Sequence, residues 1–224
     1  GTTDYLSVPD HADWEFGAGE FTVDFWINTT QTGTADRFMG RWGADGKRTF
    51  CLQFGSDNKL HCYYSDDGAY SATFQIEEND ANTINDGAWH HVAVTGNTTD
   101  NLVKMFIDGT VQTDTEAMTT IFANDLSWLI GDAGLGESIN ANLSEIRILK
   151  GAAAWTTSFT PSTTRYTSDA NTVLLIHGDE NSGGTAAFTD SGNTGHTVTP
   201  TGNAFLGNGG TFTDSGNTGH TVIE

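Results

Sequence analysis

Oxygen-bearing side chains recur in a fixed pattern near the end of the chain. Asp190 and Asn193 stand three residues apart across a glycine in the stretch TDSGNTGH, and Asp214 and Asn217 repeat that spacing in a second copy. At this spacing a carboxylate, a backbone carbonyl and an amide oxygen can converge, which is the donor set that Ca²⁺ prefers. The pattern predicts a calcium site, and its alternative is an Asx-turn in which each side chain bonds its own backbone.

Four histidines are candidates for metal binding by residue type and position. His90 and His91 are adjacent in an alternating segment, so they point to opposite faces of a strand and cannot grip one ion together. His196 and His220 recur within the duplicated stretch. We interpret all four as structural residues that pack and form hydrogen bonds.

The charge of the chain is strongly acidic and narrows the range of partners. The 224 residues include 9 Lys and Arg against 29 Asp and Glu, a net charge of −20. Phosphate backbones and anionic lipid surfaces would be repelled, so we expect no nucleic acid partner. No apolar run reaches the roughly 18 residues of a spanning helix, so we expect no membrane insertion. The acidity suits solubility in a salty medium, calcium binding in loops, or both.

Period-2 alternation of apolar and polar residues dominates the chain and predicts an all-β fold. The segment EFTVDFWIN carries one apolar set and one mixed set on its two faces. These sets are Phe21, Val23, Phe25 and Ile27 on one face and Thr22, Asp24 and Trp26 on the other. About eleven such segments occur, at the spacing of a sandwich, and Asp108–Gly109 is a typical tight hairpin turn. Helices are expected only as short pieces around Ala12 and over Gly151 to Thr156.

The two cysteines lie in one predicted hairpin around residues 56–58. A register that opposes Leu52 with Cys62 produces one continuous apolar face and sets Cys51 opposite Tyr63. The other pairs of this register are Phe54 with Leu60 and Phe50 with Tyr64. A disulfide would need a slip of one residue, which would scramble the apolar face, so we predict two free thiols.

The composition changes near Asp179. From there to Glu224 the chain is rich in Gly, Thr, Asn and Ser, and the block FTDSGNTGHTV occurs at residues 188–198 and again at residues 212–222. This stretch has too little apolar area for a core of its own. We therefore predict a sandwich over residues 1–179 and a Gly/Thr-rich C-terminal extension over residues 180–224.

Four segments in a fixed order resemble the laminin-G-like domains of the concanavalin A-like jelly-roll superfamily. They are DYLSVPDHADWEFGAGEFTVDFWIN, DGAWHHVAVT, VKMFIDGT and LSEIRILKGAAAWTTSFTPST, and they cover Asp4 to about Thr164. The resemblance implies an antiparallel jelly-roll β-sandwich. It leaves function open, because this superfamily contains lectins, glycanases, adhesion modules and virion fibre domains.

The resemblance also bears on catalysis and on calcium. Glycanases of this fold carry two Glu on one face of a strand, whereas the corresponding strand LSEIRILK has Glu145 alone, with Arg147 on the same face. Nucleophile-elbow, phosphate-loop and HExxH motifs are missing from the sequence. We therefore predict that the chain is not an enzyme. Related domains imply that Glu145 joins Asp190 and Asn193 as a calcium ligand.

The order of the segments differs from that of the family. Related domains open with a strand like TVLLIHGDE, which here lies near the C-terminus, so the chain resembles a unit cut out of phase from a tandem array. Residues 172–179 could fold back and close their own sandwich. Alternatively, a C-terminal segment could add a strand to a neighbouring copy, with Phe205 and Phe212 filling pockets there.

Glycan binding would need exposed aromatic and polar groups on a concave face. Asp24 and Trp26 share the face opposite the apolar set and are candidates, with His61 and Tyr63 in reserve. The alternative is that both faces of this strand are covered and that Trp26 belongs to the core.

These observations favour a non-enzymatic structural or adhesive module of an extracellular fibre, a bacterial surface protein or a phage appendage. Its partners would be other copies of itself, joined head to tail by strand donation. The alternative function is a calcium-dependent, carbohydrate-binding, lectin-like module. Both functions imply an extracellular location, on a cell surface or a virion surface.

Overall fold

A computed structural model describes residues 4–32, 35–70, 73–78, 84–133, 138–178, 188–202 and 204. Thirteen strands and one turn of 3₁₀ helix at Ala12–Trp14 form within these ranges. The strands are β1 (Tyr5–Val8), β2 (Phe21–Thr29), β3 (Asp36–Trp42), β4 (Arg48–Phe54), β5 (Leu60–Ser65), β6 (Thr73–Glu77), β7 (Trp89–Asn97), β8 (Leu102–Ile107), β9 (Thr110–Ala117), β10 (Trp128–Ile130), β11 (Ala141–Lys150), β12 (Thr172–Ile176) and β13 (Thr199–Thr201).

The described strands form two antiparallel sheets. The larger sheet has the order β13-β1-β10-β3-β4-β5-β6, and the smaller sheet has the order β12-β11-β2-β7-β8-β9. The predicted antiparallel jelly-roll sandwich is confirmed. The short helix expected around Ala12 is present, whereas the one expected over residues 151–156 is not, since that segment runs without helical turns across the outer face of the smaller sheet.

The core lies between the two sheets and follows the alternation of the sequence. The four apolar residues of the EFTVDFWIN segment are all fully buried in it. The opposite face of β2 is also buried, beneath residues 151–166, which we call the covering segment. Thr22 on this face donates a hydrogen bond to the carbonyl of Ala152. The smaller sheet therefore has no open face at β2.

The β8–β9 turn helps to hold the covering segment in place. Asp108 and Gly109 both adopt positive φ, of 49° and 74°, which fits the tight hairpin turn predicted from their sequence. The amide of Phe159 donates to the carbonyl of Gly109. A Cβ atom at Gly109 would lie 2.0 Å from the Phe159 carbonyl oxygen, so only glycine permits this approach.

The hairpin of β4 and β5 has the predicted register. Leu52 opposes Cys62 and Cys51 opposes Tyr63. Both cysteines are free thiols and both are buried, as expected from a register that places them on opposite faces. Burial raises the pKa of Cys62 well above its ordinary value, and the nearby Cys51 adds to the effect.

The C-terminal part of the described chain completes its own sandwich. Strand β12 pairs with β11 in the smaller sheet, which is the fold-back arrangement of the two that the sequence left open. Strand β13 pairs with β1 at the edge of the larger sheet. The sandwich thus extends past the predicted boundary at residue 179 and includes the first copy of the duplicated block. The second copy, with Phe212, Asp214 and Asn217, lies outside the described residues, as does Phe205.

Candidate functional site

The outer face of the larger sheet carries a row of aromatic side chains. Alternation along β5 sends Leu60, Cys62 and Tyr64 into the core, so His61 and Tyr63 lie on the outer face. Their rings stack with centroids 5.9 Å apart and planes 17° apart. The structure thus brings together the two glycan candidates that the sequence held in reserve.

The row continues beyond Tyr63 into neighbouring strands and turns. The Trp42 and Tyr63 ring centroids lie 6.1 Å apart. The guanidinium of Arg48 lies over the Trp42 ring at 5.9 Å and over the Tyr70 ring at 5.1 Å. Tyr70 is 72% exposed and is the one large hydrophobic residue that stands exposed among the described residues. We call His61, Tyr63, Trp42, Arg48 and Tyr70 the aromatic face. Trp42 and His61 are themselves buried and support the others, so Tyr63, Arg48 and Tyr70 are the members that a ligand can reach.

Polar groups fix the His61 end of the aromatic face. The side-chain amide of Gln75 lies 3.0 Å from Nδ1 of His61, and Nε2 of His61 lies 3.0 Å from Oδ1 of Asp57. An amide nitrogen can only donate, so Nδ1 accepts, Nε2 carries the hydrogen and the Asp57 carboxylate accepts it. Burial works to raise the pKa of Asp57, but the hydrogen bonds from His61 and from the Lys59 amide outweigh it and lower that pKa.

The aromatic face holds a hydroxyl group that stays protonated. Burial raises the pKa of Tyr63 to about 12. The Tyr63 hydroxyl is therefore available at neutral pH as both a hydrogen-bond donor and an acceptor. Stacked rings beside neutral and charged donors are the combination that sugar rings require, since a sugar presents apolar C–H faces and a rim of hydroxyl groups.

The other two glycan candidates, Asp24 and Trp26, lie on the smaller sheet and are buried. Asp24 is fully buried, and Arg147 holds its carboxylate through two hydrogen bonds, Nε to Oδ1 at 2.9 Å and Nη2 to Oδ2 at 3.0 Å. The Trp26 ring packs edge-on against His91 at 5.4 Å. Both faces of β2 are therefore covered, which is the alternative that the sequence left open, and Asp24 and Trp26 are not accessible to a glycan.

The covering segment has its own aromatic packing, which the sequence did not reveal. Trp155 and Phe159 stack with centroids 3.9 Å apart, and both rings meet His91 edge-on. Arg147 lies 4.3 Å from the ring centroid of Tyr166. Burial works to lower the pKa of Arg147, but the charge of Asp24 and its hydrogen bonds raise it overall. Arg147 is therefore a structural counter-ion, and the alternation of EFTVDFWIN, with Asp24 on the non-core face, was the available signal for it.

The predicted calcium ligands each accept hydrogen bonds from within the chain. Oδ1 of Asp190 accepts from the amides of Leu175 and Gly192 at 2.9 and 2.8 Å, and Oδ2 accepts from the amide of His196 at 2.7 Å. The bond to Gly192 is an Asx-turn, the alternative that the sequence left open. Oδ1 of Asn193 accepts from the hydroxyl of Ser168.

The third predicted ligand, Glu145, is buried on β11. Its Oε2 accepts from the amide of Tyr166 at 2.7 Å, and its Oε1 lies 2.8 Å from Nδ1 of His177. Glu145 adopts a φ of 49° at an irregularity in the β11–β2 pairing, which turns its side chain toward these partners. Calcium binding stays a prediction.

The adjacent histidines of β7 bond to different groups. Nδ1 of His90 lies 2.8 Å from Asp108 and its Nε2 lies 3.0 Å from Asp86. His91 instead lies 3.4 Å from the Asp24 carboxylate, under the covering segment. Both residues thus act as hydrogen-bonding residues of the scaffold.

Comparison with known proteins identifies the family. A laminin-G model described as the concanavalin A-like lectin/glucanases superfamily matches residues 1–157. The chain belongs to the concanavalin A-like superfamily. A sequence search of curated proteins finds no match.

Solved structures share the fold of this superfamily member at low sequence identity. A protein from Bacteroides ovatus described as carbohydrate binding matches with a TM-score of 0.62 and 15% identity over 89% of the chain. The binding domain of Paraclostridial Mosquitocidal Protein 1 matches with a TM-score of 0.54 and 14% identity over 67% of the chain. The binding domain of botulinum neurotoxin DC, in complex with SialylT, matches with a TM-score of 0.50 and 14% identity over 66%.

These structures are longer than the region they share with this concanavalin A-like chain. The chain spans 56%, 38% and 37% of their respective lengths. The likeness therefore shows the fold alone. Within the described ranges, no helix has the length and hydropathy needed to cross a bilayer.

Proposed function

We propose that the chain is a non-enzymatic adhesive module of an extracellular surface or fibre, and that it binds glycans on the aromatic face. The observation that carries the proposal is the continuous path from His61 through Tyr63, Trp42 and Arg48 to the exposed ring of Tyr70. A ring that is 72% exposed at the end of a fixed stack gives a sugar a rigid apolar surface to pack against.

Electrostatics favour a glycan on this face despite the acidity of the chain. Arg48 places its charge between two rings, and Asp45 holds it through a salt bridge of 2.5 Å. A fixed guanidinium donates several hydrogen bonds in one plane, which suits the hydroxyl or carboxylate groups of a sugar. The chain has only 9 Lys and Arg, so a positive charge beside exposed aromatic rings is uncommon on its surface.

The surroundings of Glu145 support a role without catalysis. Glycanases of this fold need a pair of carboxylates that can reach the glycosidic bond. Glu145 occupies the corresponding strand, but it is buried and both of its oxygens are engaged with His177 and the Tyr166 amide. It is therefore not presented to a substrate.

The comparisons favour the same class of function. One structural neighbour is described as carbohydrate binding, and two others are binding domains, one of a mosquitocidal protein and one of a neurotoxin. Laminin-G-like and lectin-like domains typically operate outside cells or on their surfaces, which supports an extracellular location.

The experiment is a glycan array probed with the labelled full chain, with Tyr70→Ala and with Thr110→Ala. Thr110 is exposed on the smaller sheet and serves as the matched control. We expect binding by the native chain and by Thr110→Ala, and a loss of at least about fivefold with Tyr70→Ala, since a stacked aromatic contributes about 1 kcal/mol or more. Equal binding by all three proteins would overturn the aromatic face as the site.

A second candidate function is head-to-tail assembly, and one observation favours it. The first copy of the duplicated block docks on the sandwich through Asp190, through Thr194, and through Phe188 and Val198, which pack against the core. The second copy is identical over eleven residues and brings the same side chains. It could therefore dock on a neighbouring chain in place of that chain's first copy.

Truncation after residue 204 tests the assembly, because it removes the second copy and keeps the first. We expect the full chain to form concentration-dependent oligomers in analytical ultracentrifugation and the truncated chain to sediment as a monomer. Identical sedimentation of the two chains would contradict strand donation and leave glycan binding untouched.

A further inference from the structure

The N-terminal 3₁₀ turn and the first copy of the duplicated block meet in a cluster of three metal-binding side chains. Nδ1 of His11 lies 3.1 Å from Oδ2 of Asp13, and Nε2 of His196 lies 2.9 Å from the same oxygen. All three atoms lie within 4.8 Å of one another. The turn and the block are distant in sequence, so the cluster exists only in the folded chain.

The donor set and its spacing fit a tetrahedral transition metal. Zinc binds imidazole nitrogen and carboxylate oxygen at about 2.0–2.2 Å, which places neighbouring ligand atoms roughly 3.3–3.6 Å apart. The two separations from Oδ2 of Asp13 need to widen by only a few tenths of an ångström to reach that range. Two nitrogen donors and one oxygen favour zinc-like ions over calcium, which takes oxygen ligands almost exclusively.

The hydrogen bonds of the cluster set two acceptor atoms side by side. The amide of Asp13 donates to Nδ1 of His11 at 3.2 Å, so this nitrogen carries its one lone pair rather than a hydrogen, and an ion would compete with the amide for that lone pair. Oδ2 of Asp13, 3.1 Å from that nitrogen, is also an acceptor. Two acceptors at this separation repel each other unless a proton or a metal ion lies between them. The hydroxyl of Thr194 donates to the same oxygen at 2.7 Å and fixes its position.

The neighbours of the cluster hold its side chains in place, as surrounding groups do in metal sites. The His196 ring packs on the Trp14 ring at 4.7 Å and on the His11 ring at 4.8 Å. Trp14 is fully buried and donates from Nε1 to the carbonyl of Pro9. His196 is thus anchored to the core, while His11 is about half exposed and leaves an approach for the ion and a solvent ligand.

A second group of similar composition, Asp57, His61 and Glu77, does not offer the same geometry. Asp57 lies against Nε2 of His61, whereas Glu77 lies 3.8 Å from Nδ1 of the same ring. The two nitrogens of one imidazole point in diverging directions, so one ion cannot bind all three residues.

We propose that His11, Asp13 and His196 form a binding site for a divalent transition metal of the zinc class. The ion would join residue 196 to residues 11–13 and clamp the first copy of the duplicated block onto the sandwich. It would stabilise the folded chain, because the site does not exist in the unfolded one. This site differs in residues and chemistry from the predicted calcium site, and it does not depend on glycan binding.

The test uses the full chain, stripped of metal with EDTA and dialysed, and titrated with ZnCl₂ by calorimetry. We expect saturable binding and a rise in melting temperature with Zn²⁺ that CaCl₂ does not reproduce. His11→Gln and Asp13→Asn are each expected to weaken Zn²⁺ binding by at least about tenfold. His11 is half exposed, so its variant should fold, and circular dichroism checks this.

His61→Gln is the matched control, because it removes a histidine from the second group of similar composition. It should bind Zn²⁺ as the native chain does. The proposal is overturned if the native chain shows no Zn²⁺ binding, if folded His11→Gln and Asp13→Asn bind as well as the native chain, or if His61→Gln alone removes the binding. In the first case the three residues form only a hydrogen-bonded network.

Discussion

Arg147 and Asp24 form a buried ion pair between two neighbouring strands of the smaller sheet. The two bonds, 2.9 and 3.0 Å long, are parallel contacts from one guanidinium to one carboxylate. Asp24 is fully buried, and the covering segment closes over both groups. This pair links β2 and β11 to the covering segment, residues 151–166. It explains why the outer face of β2 is closed to ligands although it carries polar residues.

Arg147→Met should destabilise the fold by about 3–5 kcal/mol, because it leaves the Asp24 carboxylate buried without a counter-charge. The double variant Asp24→Leu/Arg147→Met should lose much less, since neither charge then remains. Urea unfolding of the native chain, both single variants and the double variant measures the coupling. Additive losses in this cycle would show that the two side chains act independently.

Stability should depend on pH through His90. Burial works to lower the pKa of His90, but the hydrogen bonds and charges of Asp108 and Asp86 raise it to about 9. A raised pKa in the folded state stabilises the chain fully below the unfolded value of about 6.5, and the contribution is lost as pH rises through about 9.

We therefore expect His90→Gln to lose about 1–2 kcal/mol relative to the native chain at pH 6, a figure reduced for the exposure of the two carboxylates. The difference should shrink toward pH 9.5. Urea unfolding at the two pH values measures it, and a difference that stays constant between them would contradict the ion pairs.

Asp190 should matter for stability through its hydrogen bonds. Asp190→Ala leaves three backbone amides without an acceptor, so we expect a loss of about 2–4 kcal/mol. Asp214→Ala is the matched change in the second copy of the block and should alter stability by less than about 0.5 kcal/mol. Equal losses in the two variants would show that the copies are interchangeable on the sandwich.

The Asp190→Ala variant also tests the calcium prediction. If Ca²⁺ binds at Asp190, Asn193 and Glu145, adding it raises the melting temperature of the native chain and not of Asp190→Ala. A native melting temperature that is the same in Ca²⁺ and in chelator would show that calcium does not bind the folded chain.

The alternation of the sequence was sufficient to predict the sandwich and the register of the β4–β5 hairpin. Side chains along a strand point to opposite faces in turn, so one apolar set fixes the pairing of Leu52 with Cys62. Alternation cannot say what covers the second face of a strand. For Asp24 and Trp26 it therefore left two possibilities, an open face and a covered one, and the structure shows the covered one.

Contacts between segments that are distant in the chain could not be predicted from the sequence either. The cluster of His11, Asp13 and His196 forms only when the first copy of the block docks beside the N-terminal turn. The HxD spacing at residues 11–13 is too common to signal a metal site without its third ligand. Tyr70 was missed for a related reason, since its place beside Arg48 depends on how two separate turns meet.

Chemical-shift mapping of the full chain with the glycan that binds most strongly on the array tests the central claim most directly. Amide and side-chain signals of His61, Tyr63 and Tyr70 should shift on saturation, while those of Thr110 on the smaller sheet should not. Shifts confined to the smaller sheet, or to the segment that covers Asp24, would contradict glycan binding on the aromatic face.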